Sequence, residues 1–237
     1  MAGRRMGRYV VRVVAATVGW VVLSVAVTAV FMPARVEPEP MSFDDVTVAG
    51  LRAHAETITS PLTAVGCGRS LGGNAVAGDG ELLTNRHLAD GLAVAVPSGR
   101  VDTAFVVAGS ASVEARLDLA LLGDGEGKAD GKLATADPVP GEPVLLAAWI
   151  DGVFVTTVGR VHTYTSGGAY GPDVVMLLQP ETRPGFSGGP VLDRNGHVVG
   201  LLRATDSTTS LAIAIPASTI SEWLAVAKRP AEAPRCG

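Results

Sequence analysis

The sequence offers little to a metal, a phosphate group or a nucleic acid. It contains no H-E-x-x-H, and its four histidines and two cysteines lack the spacing of a zinc site. No glycine-rich phosphate loop or dinucleotide fingerprint stands between a strand and a helix, so no cofactor is expected. Basic clusters are missing too. Removing the four early arginines (Arg4, Arg5, Arg8 and Arg12) from the formal net charge of −4 leaves −8 on the rest of the chain. An acidic domain without basic patches argues against nucleic acid as a partner. Aromatics are scarce at 5%, whereas glycines number 29 and hydrophobic residues make up 47%. That balance suits short Val/Ala/Leu strands joined by glycine turns around a buried core. A length of 237 residues fits one mid-sized domain with an appendage, or two very small domains. The cysteine pair, Cys67 and Cys236, has two readings. In an oxidising compartment it forms a bridge from the start of the domain to the end of the chain, and otherwise it is two free thiols.

Charge is also absent from Val13 to Met32, a run rich in Val, Ala, Leu, Trp and Phe. About 20 apolar residues suffice to cross a bilayer as a helix. Arginines before the run predict a cytoplasmic tail (1–12), a transmembrane signal-anchor (13–32) and the remainder outside the cell membrane. The alternative is a secretory signal cleaved near Val27-Thr28-Ala29, although the run exceeds an ordinary signal core. Both readings export the bulk of the chain. A proline-rich segment (33–40) then begins a stem reaching residue 60, in which Val48, Leu51, Ala55 and Ile58 recur at helical spacing and predict a short juxtamembrane helix.

From Pro61 the pattern becomes short apolar stretches broken by Gly, Asp, Asn and Ser. Strands are expected at 75–77, 81–84, 93–96 and 101–108, with two more between Val113 and Leu122 around Arg116. A connector rich in Gly, Asp and Pro follows from Gly123 to Pro140. Strands resume at 143–150, 153–164 and 174–178, and Arg194-Asn195-Gly196 is a strong hairpin turn between 191–193 and 197–202. The last strand is expected at 211–215. A helix closes the domain near residue 229, with Thr219 and Glu222 at capping-box spacing and Ile220, Trp223, Leu224 and Ala227 on one face. Many short strands, a central connector and a terminal helix describe two β-barrels side by side, followed by a tail over 230–237.

Chemistry centres on Pro184-Gly185-Phe186-Ser187-Gly188-Gly189-Pro190, where glycines leave a serine hydroxyl uncrowded and let backbone N–H groups turn inward toward a developing oxyanion. Most Gly-Gly-Pro clusters are only tight turns, so the motif needs partners. A serine is a poor nucleophile without an imidazole to take its proton and a carboxylate to orient that imidazole. Of His54, His87, His162 and His197, only His87 stands at the end of an expected strand where it can face a cleft. Asp118, between leucines, would be costly to bury unpaired, and hydrogen bonding to His87 would offset that cost. The bland alternative is an aspartate turned outward to water.

In the order His87, Asp118, Ser187 the sequence resembles a trypsin/chymotrypsin-fold serine peptidase, closest to the bacterial HtrA/Deg type. The resemblance is carried by Thr84-Asn85-Arg86-His87, Asp118-Leu119-Ala120-Leu121-Leu122, the serine segment through Val191, His197-Val198-Val199-Gly200-Leu201 and Ala214-Ile215-Pro216. It implies an all-β fold of two six-stranded antiparallel barrels over 61–229 and a polypeptide substrate. Ser187 would be the nucleophile, His87 the general base and then acid, and Asp118 the orienter. The N–H groups of Gly185 and Ser187 would form the oxyanion hole. Leu202, Arg203, Ala204 and Thr205 would pair with extended substrate, Ala212 and Ala214 would line the pocket before the scissile bond, and Glu181 would lie near its base and favour Lys or Arg. Three departures stand out. Phe186 replaces the aspartate of zymogen-activated relatives, the PDZ domain usual in the HtrA type does not follow, and Arg203 replaces a small polar residue near the aspartate. The α/β-hydrolase elbow G-x-S-x-G also fits Gly185 to Gly189 but is rejected, because only His197 follows the serine. A reading from another class is an inactive member of the fold that binds peptides or partner proteins at the membrane surface. The sequence assigns no subunit count.

Overall fold

A computed structural model of the chain describes residues 43–66, 68–78, 81–89, 93–95, 117–122, 129–171 and 173–226. The expected transmembrane segment, both tails, the proline-rich segment, Cys67, Cys236 and the strand at 101–108 lie outside these residues. Among the described residues, no helix is long and apolar enough to cross a membrane.

The first element is helix α1 (Asp45–Ile58). Asp44 starts it by accepting hydrogen bonds from the Thr47 N–H at 2.8 Å and the Thr47 hydroxyl at 2.9 Å. Thr59 ends it, its N–H and its hydroxyl both donating to the Ala55 carbonyl. The expected helical spacing is present, but the face it describes is not part of a stem. Leu51, Ala55 and Ile58 are buried against Leu145, Leu192, Leu201, Ile220 and Trp223, and the compact unit begins at Met41. The expected boundary at residue 61 is therefore corrected, because the helix is needed to cover apolar surface of the domain.

Strands β1 (Thr59–Gly66), β2 (Arg69–Gly78), β3 (Glu81–Thr84), β4 (Ala93–Ala95) and β5 (Ala120–Leu122) form an antiparallel sheet in the order β4-β1-β2-β3-β5. A one-turn helix α2 (Arg86–Ala89) follows β3. The second half is a closed barrel of six strands in the order β10-β11-β8-β7-β6-β9, from β6 (Pro143–Ile150), β7 (Val153–Thr165), β8 (Val175–Gln179), β9 (Pro190–Leu192), β10 (Val198–Asp206) and β11 (Leu211–Pro216). Two six-stranded barrels were expected. The second has that form, and the first comprises five strands among the described residues. Between Leu117 and Leu122 there is one strand, since Leu117 to Leu119 lie outside the ladder.

Three of the four apolar clusters among the described residues organise the packing. One lies inside the sheet half (Leu62, Ala75, Leu82, Leu88) and one fills the barrel (Val144, Leu146, Met176, Leu178, Phe186, Leu202). The third joins the halves, uniting Val76, Leu83 and Leu119 with Leu145, Leu192 and Leu201 beneath α1 and α3 (Ala217–Val226). The connector is not slack either. Gly131 N–H donates to Ala77 of β2 at 2.7 Å, and Val198 of β10 donates to Lys132 at 2.8 Å. Its Asp137 caps α3, accepting from the Ser218 N–H at 3.0 Å and the Ser218 hydroxyl at 2.5 Å. The expected capping box at Thr219 and Glu222 is thus displaced, because the helix starts at Ala217 and its cap comes from 81 residues upstream.

The β10–β11 turn is built on Asp206, which accepts from the Thr208 N–H and the Thr209 hydroxyl, both at 2.8 Å, and from the Tyr170 phenol. The phenol first, then the Thr208 N–H, hold the Asp206 carboxyl down at about 2 from an ordinary 3.8. The same hydrogen bond pushes the Tyr170 phenol up.

Two outcomes are expected. Ile58→Ala, at a fully buried position, should cost about 2–5 kcal/mol in urea unfolding. A depressed carboxyl contributes stability that is present above its unfolded value and is lost as pH falls toward its folded one. Between pH 3.8 and about 2, wild type should therefore lose more urea resistance than Asp206→Asn. Parallel curves over that interval would refute the Asp206 assignment.

Candidate active site

Ser187 sits in a loop pressed between the two halves. Gly188 has φ +77°, and a Cβ there would lie 1.9 Å from the Asn74 carbonyl oxygen and 2.8 Å from the Thr84 hydroxyl, so only glycine permits this approach. The Asn74 N–H of β2 donates to the Ser187 carbonyl at 2.9 Å. On the barrel side, Gly188 N–H donates to Leu202 and Leu202 N–H donates to Gly189, both at 2.8 Å. Phe186 turns into the barrel core beside Val144, Leu202 and Ala212, with 5% of its surface exposed. An apolar anchor thus occupies the position where zymogen-activated relatives carry a carboxylate. Gly185 adopts φ +100°. Among the described residues the N–H groups of Gly185 and Ser187 meet no acceptor, while the intervening Phe186 N–H donates to Arg183 at 3.4 Å. Two free amides flanking an engaged one are what an oxyanion hole needs.

β3 ends at Thr84, so His87 lies in α2 rather than at a strand end. Asp118 approaches it twice, accepting from the His87 N–H at 2.8 Å (Oδ1) and lying 2.7 Å from Nδ1 (Oδ2). The carboxylate therefore fixes both the backbone and the ring, with the Nδ1 proton directed at Oδ2 and Nε2 left as the other ring nitrogen. Asn85 donates from Nδ2 to the Asp118 carbonyl at 3.1 Å, holding the segment in place. Asp118 is thus not turned outward to water, and its side chain is only 13% exposed.

Arg203 brings the acid and the serine to a common neighbour. The β10–β11 register shifts between Leu202 and Ala204, which leaves Arg203 outside the ladder as a bulge. Its free carbonyl accepts from the Ser187 hydroxyl at 3.1 Å, and its Nε lies 3.6 Å from Asp118 Oδ2. The serine hydroxyl points to Arg203 here, and no hydrogen bond joins it to His87 among the described residues. Rotation about its side-chain torsion changes that acceptor without moving the backbone.

The remaining candidates divide. Leu202 is buried, Arg203 and Thr205 are half-buried and Ala204 is exposed, and Thr205 donates to the Thr182 carbonyl at 2.6 Å. Ala212 and Ala214 are fully buried in the barrel core with Met176 and Leu178. Glu181 is exposed and lines an open groove of about 460 Å³ with Val158, Arg160, Gln179 and Ser210. Glu181, expected near the base of the substrate pocket, stands in solvent instead: β8 ends at Gln179, and the chain beyond it leaves the barrel. His54 and His197 have structural partners, Gly196 O at 3.1 Å and Asp193 at 3.3 Å. Among the described residues no group of three or more His, Cys, Asp or Glu could hold a metal.

Asn74 was not singled out by sequence reasoning. The available signal was an asparagine within an otherwise apolar and glycine-rich strand, a poor strand former that needs hydrogen bonds if buried.

Residues 72–201, more than half of the chain, match the trypsin-like peptidase domain family. No curated protein sequence matches the chain. Among solved structures, the active form of the Rv3671c protease from M. tuberculosis superposes with a TM-score of 0.66 at 22% identity, covering 83% of this chain and 93% of that one. The HtrA-type protease AlgW with a tripeptide gives 0.63 at 25% identity, over 75% of this chain and 62% of that one. A serine endoprotease from Yersinia pestis gives 0.60 at 20% identity, over 78% and 66%. With the family match spanning both halves and an HtrA-type fold around it, the chain belongs to the trypsin-like peptidase family and is a serine endopeptidase.

Proposed function

We propose that Ser187, His87 and Asp118 form the catalytic triad of this endopeptidase, with Gly185 and Ser187 N–H groups as its oxyanion hole. The observation that carries this reading is the double hydrogen bond of Asp118 to His87 beside a serine that shares Arg203 with that same aspartate. His87 Nε2 takes the Ser187 proton as the oxygen attacks a peptide carbonyl, and the resulting oxyanion is met by the two free amides. The imidazolium then protonates the leaving amine, giving an acyl-enzyme. Water, deprotonated by the same nitrogen, hydrolyses it and returns the hydroxyl to Ser187. The bulged β10 segment from Leu202 to Thr205 receives the extended substrate chain, a role supported by the register break at Arg203. The uncharged run from Val13 to Met32, preceded by arginines, supports a single-pass anchor with the peptidase domain outside the cytoplasm. Burial of Phe186 supports a site assembled without capture of a new N-terminus.

The orientation of the Ser187 hydroxyl toward Arg203 favours one alternative, a protein of this fold that binds peptides without cutting them. A fluorophosphonate probe separates the two. Labelling at Ser187 should fall about 10⁴- to 10⁶-fold in His87→Ala and vanish in Ser187→Ala, with unfolding free energy changed by less than about 1 kcal/mol in the latter. Folded wild type that is never labelled would overturn the triad assignment.

A further inference from the structure

Phe186 holds the serine loop in place through apolar contacts, which have no preferred direction. An oxyanion hole needs direction as well as place, because the peptide planes around Gly185 decide where its N–H points. Gly185 cannot set that orientation itself: at φ +100° it has no side chain, and Glu181, Arg183 and Pro184 before it are exposed. Among the described residues, the hydrogen bonds on this loop from the sheet half come from one residue. Asn74 is fully buried in the middle of β2, and all of its polar groups are engaged. Its Oδ1 accepts from the Trp149 N–H of β6 at 2.6 Å. An N–H can only donate, so this contact fixes which end of the carboxamide is oxygen and turns Nδ2 toward the loop. Nδ2 donates to the Gly185 carbonyl at 2.7 Å and lies 3.4 Å from the Ser187 carbonyl. The Asn74 N–H holds Ser187, and its carbonyl accepts from the Thr84 hydroxyl at 2.6 Å.

We propose that Asn74 is a positioning residue for the oxyanion hole, its carboxamide clamping the Gly185–Phe186 peptide so that the Gly185 N–H stays aimed into the cleft. This rests on the assignment of Gly185 and Ser187 as the oxyanion hole. In this chain the orienting task that a charged pair performs in zymogen-activated relatives is divided. Phe186 fixes the position of the loop from the barrel core, and Asn74 fixes its orientation from the opposite half. The Gly185 N–H belongs to the preceding peptide, one Cα away from the clamped carbonyl, so loss of the carboxamide leaves the Gly185 backbone torsions unheld on that side and lets this N–H drift from the developing negative charge. Asn74 touches no reacting atom, so substrate binding is spared while the chemical step suffers.

The test uses the full chain in detergent micelles, ¹⁵N,¹³C-labelled, with a fluorophosphonate probe. Asn74→Ser removes the reach to Gly185, and Asn74→Asp keeps the shape but replaces the donor by an acceptor. Both should slow Ser187 labelling about 100-fold, the scale of one lost oxyanion donor. The maximal labelling rate should fall while the probe concentration giving half of it stays within about threefold. The Gly185 amide resonance should shift in both variants. Ile58→Ala, destabilised away from the site, should keep the wild-type labelling rate, which separates orientation from stability. In wild type, a scalar coupling across the hydrogen bond from Asn74 Nδ2 to the Gly185 carbonyl should be present, and this stands even if a variant fails to fold. Wild-type labelling rates in folded variants, or absence of that coupling, would overturn the proposal. If wild type itself is unlabelled, the catalytic reading fails separately, and the Gly185 resonance and the coupling alone decide whether Asn74 holds the loop.

Discussion

The hydrogen bond from the Asn74 N–H to the Ser187 carbonyl, 2.9 Å long, is where the half bearing His87 and Asp118 is registered against the half bearing Ser187. The apolar cluster between the halves supplies attraction, since it brings Val76 and Leu83 against Leu145 and Leu201, but such contacts tolerate small sliding movements. Chemistry divided across an interface does not tolerate them, because displacements of about 1 Å can cost about 100-fold in rate. Gly188 removes the slack. Without a Cβ its backbone lies against the Asn74 carbonyl, so hard contact and hydrogen bonding act at the same point. Adhesion comes from one set of residues and alignment from another.

The same division appears in the outer elements. Helix α1 contributes Leu51, Ala55 and Ile58 to the shared cluster, and α3 contributes Ile220 and Trp223. Polar contacts then fix how these helices lie. The Arg52 guanidinium donates to the Phe154 carbonyl at 3.0 Å, His54 lies 3.1 Å from the Gly196 carbonyl, and Asp137 of the connector caps α3. The Trp149 indole N–H reaches Thr59, where α1 gives way to β1, at 3.2 Å. Trp149 thereby holds α1 with its side chain and the Asn74 carboxamide with its main chain, which connects the first helix of the domain to the serine loop through one barrel residue.

What could be read from the sequence was what is encoded locally or in the order of motifs. The Arg194-Asn195-Gly196 turn, the long strands β6 and β7 and the closing helix announce themselves through turn chemistry and periodicity. His87, Asp118 and Ser187 could be picked out as candidates because each sits in a short distinctive neighbourhood and the three occur in a characteristic order, and the structure brings the first two into contact. Contacts made at a distance were not legible. The spacing of Leu51, Ala55 and Ile58 says that a helical face is covered but not by what, so a helix integral to the domain read as part of a stem. Thr219 and Glu222 satisfy a local capping rule, yet Asp137 reaches the helix first from a segment that reads as a connector. Glu181 is six positions before the serine, but exposure depends on where β8 ends, and that end leaves the carboxylate in water.

The departures from the family pattern at Phe186 and Arg203 belong together once the backbone is considered. A carboxylate at position 186 would need a buried cation, whereas a phenyl ring needs only the barrel core, already lined by Val144, Leu202 and Ala212. Leu202 is also the residue whose N–H and carbonyl pair with the serine loop, so the ring packs against the strand that receives the loop. One residue on, the strand bulges and Arg203 leaves the ladder, its carbonyl facing Ser187 and its Nε beside Asp118. A small polar side chain could serve the aspartate but could not extend further. The guanidinium continues to the Tyr170 carbonyl at 3.5 Å, and Tyr170 in turn holds Asp206 at the end of the same strand. The proposed substrate-pairing segment, Leu202 to Thr205, is therefore pinned at its start by the serine loop and, one residue past its end, at Asp206 by Tyr170, with Arg203 reaching from one toward the other. The substitutions that weaken a motif-by-motif match thus stiffen the strand on which a substrate would have to lie.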